Sequence, residues 1–126
     1  MPSGEPFTDG QVHEISRACS TAGAETGLTF SVYVGPVEGE IRDHAERLHA
    51  ALGSGSTKGV LLLVAPGERQ LEIVTGKESA RRLSDRSCAL AALSMTTAFS
   101  GGDLQGGIVT GVRMLAESAG REVRAS

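Results

Sequence analysis

Two aspartates are the residues in this chain whose type and placement could do chemistry. Asp85 and Asp103 each stand where a helix is expected to begin, with Ser84 or Asp85 as the cap of the first. A carboxylate there can accept the orphan N–H groups of the first turn, which stabilises a helix by typically about 1 kcal/mol. The same group beside a loop's free carbonyls is also a hard ligand for calcium or magnesium. Capping is the plainer reading. Arg81, Arg82 and Arg86 cluster near the first of these helix starts. Three guanidinium groups could receive a phosphate or a partner's carboxylates, although Glu78 and Asp85 balance them as an ordinary solvated face.

Other catalytic signals are weak. His44 and His49 are five residues apart, so a helix sets them about 140° apart rather than on one metal-binding face. His13 stands alone. The segment Gly53-Ser54-Gly55-Ser56-Thr57-Lys58-Gly59 is glycine-rich, but it follows a helix and feeds a strand, the reverse of a phosphate loop. It reads as a flexible connector. No Gly-x-Ser-x-Gly elbow occurs. Cys19 and Cys88 lie outside any Cys-x-x-Cys pair and fall on apolar helical faces, where a thiol acts as a small hydrophobe.

Composition narrows the classes further. The chain has 126 residues, 40% of them hydrophobic and 21% charged, which fits one domain with a real core. Aromatic residues make up 3%, too few for base-stacking surfaces, and a net charge of −3 argues against phosphate-backbone binding. No nucleic-acid partner is expected. The longest apolar runs, 60–66 and 88–93, fall far short of the roughly 20 residues of a membrane span. No basic, apolar leader opens the chain, so the expected address is the cytoplasm.

The elements that must position these residues are legible in the pattern. Residues 1–7 read as a loose leader and 120–126 as a loose tail of a single domain. Thr8 and Gln11 form a capping pair ahead of Val12, Ile15, Cys19 and Ala22, and Thr26-Gly27 stops that helix. Leu28, Phe30, Val32 and Val34 alternate with polar residues as a half-buried first strand ending at Gly35-Pro36. Ile41, Ala45, Leu48 and Leu52 mark a second helix. The unbroken run 60–64 predicts a central strand covered on both faces. Pro66-Gly67 then turns it into a hairpin with an alternating third strand around Leu71 and Ile73. A short helix over 77–83, a mostly buried helix through Cys88, Leu90, Leu93, Met95 and Phe99, and a last helix from Asp103 complete the chain. Gly107 and Gly111 would let another element approach that last helix closely. The expected fold is α/β: a three-layer sandwich in the order αβαββααα, with a small mixed sheet and helices on both faces. The helical link between strands one and two implies a parallel crossover.

Taken in order, several segments resemble the TPM domain, the family named for thylakoid-lumen, photosystem II-repair and levamisole-receptor-modulator proteins. They are Thr26-Gly27, Gly59-Val60-Leu61-Leu62-Leu63-Val64-Ala65, Arg69, Leu71, Ile73, Gly76, Leu83-Ser84-Asp85, and Phe99 with Gly102-Asp103-Leu104-Gln105-Gly106-Gly107-Ile108. Gly111, Val112 and Leu115 complete the set. The match spans residues 26–115 and is nearest a small actinobacterial branch of unknown function. The resemblance implies an α/β sandwich, divalent-cation binding in some members and acid phosphatase activity in a plant thylakoid member. Many members sit outside the cytoplasm or on a membrane. Where that family often carries Asp-Asp-Gly before strand two, this chain has Thr57 and Lys58. That exchange removes cation ligands and adds a positive charge.

The expected function is therefore a non-catalytic binding or scaffolding module, acting on a protein partner or small ligand without membrane insertion. The alternative is a divalent-cation-dependent hydrolase of phosphate esters working through Asp85 and Asp103, which match acidic positions of the family. No cofactor is expected beyond weak calcium or magnesium binding. Open α/β sheets hold ligands beyond the carboxyl ends of their parallel strands. The pocket candidates are accordingly Gly35, Gly76, Asp85, Arg86 and Asp103. The two aspartates are expected to face a common cleft, with a cation or Arg86 between them to offset their repulsion.

Overall fold

The computed structural model describes residues 7–120. Helix α1 (Asp9–Thr26) leads to strand β1 (Thr29–Val34), helix α2 (Ile41–Ala50), and the hairpin strands β2 (Gly59–Ala65) and β3 (Gln70–Thr75). Helices α3 (Asp85–Ser100) and α4 (Leu104–Ala119) close the chain. The sheet order is β1-β2-β3, with β1 parallel to β2 and β2 antiparallel to β3. This is the mixed sheet expected from the sequence. Among the described residues no helix is long and apolar enough to cross a membrane.

All seven residues of β2 are buried, so the strand needs cover on both faces. Side chains alternate across a strand. Val60, Leu62 and Val64 accordingly join Phe30, Ile73, Met95, Ile108 and Leu115 in the larger core beneath α1, α3 and α4. Leu61 and Leu63 point the other way and join Val74 and Ala45 beneath α2. Full burial of each Leu stabilises the fold by about 1.5–3 kcal/mol.

Local chemistry sets the helix ends. Thr8 and Gln11 form the expected capping box, and Gly27 ends α1 in the left-handed region at φ 78°. The buried Thr26 hydroxyl donates to the Ala22 carbonyl at 2.7 Å and accepts the Leu28 N–H at 3.1 Å. Helices α3 and α4 meet at the two expected glycines. A Cβ on Gly107 would come within 2.7 Å of the Phe99 ring, and one on Gly111 within 2.5 Å of the Met95 sulfur.

Three expectations need correction. Residues 77–83 make no α-helix: only a 3₁₀ turn, Ser79–Arg81, forms. The Gly/Ser segment is not a loose connector but a 3₁₀ helix, Gly53–Lys58. Helix α3 is covered on one side only, leaving Leu90 50% and Leu93 64% exposed. Apolar content alone did not reveal that α3 lies at the margin of a three-stranded sheet. Most of the expected leader and tail lies outside the described residues. Phe7 packs against the larger core, and the Gly120 carbonyl accepts a hydrogen bond.

The turn after β3 depends on Gly76. A Cβ there would lie 1.9 Å from the Ser56 carbonyl oxygen, which is backbone and cannot swing aside. Gly67, in the β2–β3 turn, has nothing within 4 Å of a Cβ. Gly76→Ala should therefore cost more than about 3 kcal/mol or prevent folding, while Gly67→Ala should stay within about 1 kcal/mol. Urea denaturation of the two variants checks the contrast.

Candidate functional site

The structure separates the expected site residues into two groups at opposite ends of the sheet. Gly35 follows β1 and donates its N–H to the Val64 carbonyl at 3.0 Å, at the carboxyl edge of the parallel strands. Asp103 lies at this end too, between Gly102 and Leu104 of a crevice that also takes in Pro66 after β2. Gly76 is at the other end, where its N–H donates to the Gly59 carbonyl at 3.1 Å. Asp85 and Arg86 open α3 beside that end. Asp85 and Asp103 thus stand at opposite ends of a 16-residue helix, about 24 Å long. The two carboxylates therefore share no cleft, and Arg86 stands beside Asp85 alone.

Each aspartate has its own local environment. The Asp103 side chain accepts the Gly106 N–H at 2.9 Å as the cap of α4. Asp85 is the first residue of α3 and is exposed. The cap there is Ser84, whose hydroxyl accepts the Ser87 N–H at 3.1 Å. Among the described residues no three His, Cys, Asp or Glu side chains gather closely enough to hold a metal ion. His44 Nδ1 accepts the Glu38 N–H at 3.1 Å and its ring meets Tyr33 edge-on, while His49 Nε2 lies 3.2 Å from the Gly59 carbonyl.

Two groups carry structural work that the sequence did not announce. The fully buried Ser79 hydroxyl accepts the Gly76 N–H at 2.8 Å and donates to the Gly59 carbonyl at 3.0 Å, tying the end of β3 to the start of β2. Arg82 leaves the solvated arginine cluster. Its guanidinium donates to the Thr26 carbonyl at the end of α1 and to the Ala119 and Gly120 carbonyls at the end of α4. One cation thereby satisfies unpaired carbonyls at two helix C-termini, where the helix dipoles favour positive charge.

The cavities take in Asp85 from the expected cluster and otherwise lie elsewhere. A crevice of about 460 Å³ opens between the β2–β3 turn and the α3–α4 turn. Leu71, Phe99 and Leu104 give it apolar surface, and Arg69, Thr96 and Ser100 supply polar groups. Arg69 sits in the left-handed region at φ 54°, the one such non-glycine residue among those described. A shallower recess of about 240 Å³ continues along β3, bounded by Arg42 of α2 on one side and by Asp85, Cys88, Ala89 and Ala92 of α3 on the other. A third groove, of about 490 Å³, runs between α1 and α4 with Glu14, Arg17, Arg113 and Glu117 along it. The sequence did carry a signal for the first crevice: Pro66 and Arg69 bracket a turn at the carboxyl edge, and Ser100-Gly101-Gly102 breaks the chain opposite.

A model of the family DUF5130, a domain of unknown function, matches residues 1–116. The chain belongs to this family. Two uncharacterized proteins from strains of Mycobacterium tuberculosis are 30% identical to the DUF5130 chain over 102 residues, 79% of its length and 55% of theirs. The chain thus spans about half the length of these curated relatives. The NMR structure of the BA42 protein from Bizionia argentinensis matches the DUF5130 fold with a TM-score of 0.82 at 23% identity, covering 94% of this chain and 86% of its own. The N-terminal domain of a P. gingivalis protein matches with a TM-score of 0.80 at 17% identity, over 92% of this chain and 78% of its own. At these identities the likeness establishes a shared fold.

The thiols of the DUF5130 domain are poorly suited to nucleophilic work. Burial pushes Cys19 above its ordinary value of 9.0. Cys88 is pushed up by burial and by the Asp85 charge, against a smaller opposing effect of Arg42. A raised folded-state value means that ionisation favours the unfolded chain, so stability should fall as pH rises past 9 and both thiols should alkylate more slowly than free cysteine at pH 8. Iodoacetamide kinetics and thermal melts from pH 7 to 10 test both statements. For Asp103, substitution by Asn keeps the capping oxygen, whereas Ala removes it. Asp103→Asn should hold stability within about 0.5 kcal/mol and Asp103→Ala should lose about 1 kcal/mol in urea denaturation.

Proposed function

We propose that this DUF5130 domain is TPM-like and works as a non-catalytic binding module, taking its ligand in the crevice between the β2–β3 and α3–α4 turns. The observation that carries the reading is the make-up of that crevice. It is concave, lies beyond the carboxyl end of β2, and combines apolar surface with one exposed cation, Arg69. Those features suit binding sites of open α/β sheets. Its described lining includes no carboxylate, imidazole or thiol. Ser100 and Thr96 offer hydroxyls, but the Thr96 hydroxyl donates to the Ala92 carbonyl at 2.9 Å and no general base adjoins either residue in the lining. Such a site can hold an anion with an apolar body but has no group to activate a nucleophile. The rival phosphatase reading relied on Asp85 and Asp103 acting together, and their separation along α3 removes its geometric support.

A titration with phenylacetate, followed by backbone NMR, tests the reading. Saturable shifts should centre on Arg69, Phe99, Gly102 and Leu104, and Phe99→Ala should weaken them several-fold. Shifts scattered over the surface or absent at tens of millimolar ligand would overturn the crevice assignment. Turnover of p-nitrophenyl phosphate with magnesium, calcium or manganese, lost in Asp103→Asn, would overturn the non-catalytic reading.

A further inference from the structure

Strand β3 ends the sheet on one side, and its ladder determines which backbone groups face outward. Thr75 pairs with Val60, and Gly76 donates its N–H to the Gly59 carbonyl. In an antiparallel ladder, hydrogen-bonded pairs alternate with non-bonded ones. Gln70, Glu72 and Val74 therefore turn their N–H and C=O groups toward β2, while Leu71, Ile73 and Thr75 turn theirs away from the sheet. The Arg42 guanidinium confirms this placement: it reaches the Ile73 carbonyl at 3.2 Å from outside. Among the described residues the outward N–H groups of Leu71, Ile73 and Thr75 have no partner.

Space for another strand lies beside those groups. The 240 Å³ recess and the larger crevice both include Leu71 and together follow the whole of β3. Helix α3 runs antiparallel to β3 along this slot, from Asp85 beside Thr75 to Ser100 beside Gln70. Ala89, Ala92 and Thr96 of α3 form its wall, and the exposed Leu93 follows Ala92 in the same helix. Charge is polarised along the slot. Arg69 stands at the Gln70 end. Asp85 stands at the Thr75 end, and between the two, Arg42 pairs with Glu46 at 2.9 Å and Glu72 at 3.3 Å.

We infer that the edge of β3 receives the carboxyl-terminal segment of a partner protein as a fourth, antiparallel strand. This rests on the crevice reading above and names its occupant. Antiparallel addition sends the peptide's carboxyl end toward Arg69 and its amino-terminal side toward Asp85, matching acid to cation and base to carboxylate. Alternate side chains project onto the Ala89–Ala92–Thr96 wall and must be apolar. The slot along Gln70–Thr75 holds about six residues over roughly 17 Å. A peptide N–H displaces Arg42 from the Ile73 carbonyl, leaving the guanidinium on Glu46 and Glu72.

The probe is the hexapeptide Lys-Val-Thr-Val-Thr-Val, as free acid and as C-terminal amide, titrated into the full chain with NMR-detected hydrogen exchange. The amides of Leu71, Ile73 and Thr75 should exchange at least about tenfold more slowly when bound, and the free acid should bind roughly tenfold more tightly than the amide. Arg69→Asn, which tolerates the left-handed backbone, should erase the acid–amide difference. Thr75→Pro removes an outward donor while leaving the inward ladder intact and should abolish binding. Should it not fold, Ala89→Arg, on the exposed wall of α3, blocks the slot instead. Shifts confined to Phe99, Gly102 and Leu104 with unchanged exchange along β3 would overturn strand addition and leave the crevice reading standing. No shift in either region would overturn both. Equal binding of acid and amide would overturn recognition of the chain end. Concentration-dependent protection of the same three amides without peptide would show that a second copy, not a partner, occupies the edge.

Discussion

The complete burial of β2 is the constraint from which the rest of this molecule follows. Seven consecutive buried residues cannot be covered by one layer, because their side chains alternate between two faces. Helix α2 covers Leu61 and Leu63, and the other three helices cover Val60, Leu62 and Val64. The division is unequal, and the consequences differ. One helix suffices for the smaller core, whereas the larger one needs α4 as its centre, with Ile108, Val112 and Leu115 fully buried. Only glycines at 107 and 111 let α3 come close enough to α4 to seal that core.

That hierarchy explains what could be read in the sequence. Periodicity, caps and the hairpin turn were legible because each is local: Thr8 with Gln11, Gly27, the run 60–64, Pro66-Gly67 and the Asp103 cap all lie within a few residues of what they control. What depended on long-range placement was not. Nothing near Arg82 signals that it will meet carbonyls 56 and 38 residues away. Asp85 and Asp103 are a different case: the helix expected between them already sets them at its opposite ends. Reading the two acids as a pair assumed that matching family positions converge, and the length of α3 forbids it. Leu90 and Leu93 follow the same rule. An apolar helix need not be a covered one: the sheet is only three strands wide and α3 overhangs its border.

Charge is distributed along the same lines. Arg82, half-buried and turned inward, is spent on helix ends. The exposed ion pairs of Arg42 contribute little stability by themselves, since such pairs in solvent are typically worth less than about 1 kcal/mol. Their consequence is positional. The Glu46 and Glu72 carboxylates hold the Arg42 guanidinium over the Ile73 carbonyl, at the midpoint of the free edge.

An uncovered edge strand is an invitation to uncontrolled pairing, and folded proteins commonly blunt it with charge, proline or a bulge. Proline or a bulge would close the β3 edge permanently. A single arginine held by two solvent-exposed carboxylates covers it reversibly, because moving one hydrogen bond from Ile73 leaves both ion pairs in place. The cover also spares the outward N–H groups of Leu71, Ile73 and Thr75, which a side-chain cation cannot satisfy. An edge with one carbonyl covered and its outward N–H groups free, beside a slot with apolar surface and opposite charge at its two ends, is open to a strand of one direction. The same three-strand width that leaves α3 half-bare thus supplies both walls of the slot, so the exposed leucine and the free edge are two consequences of one narrow sheet.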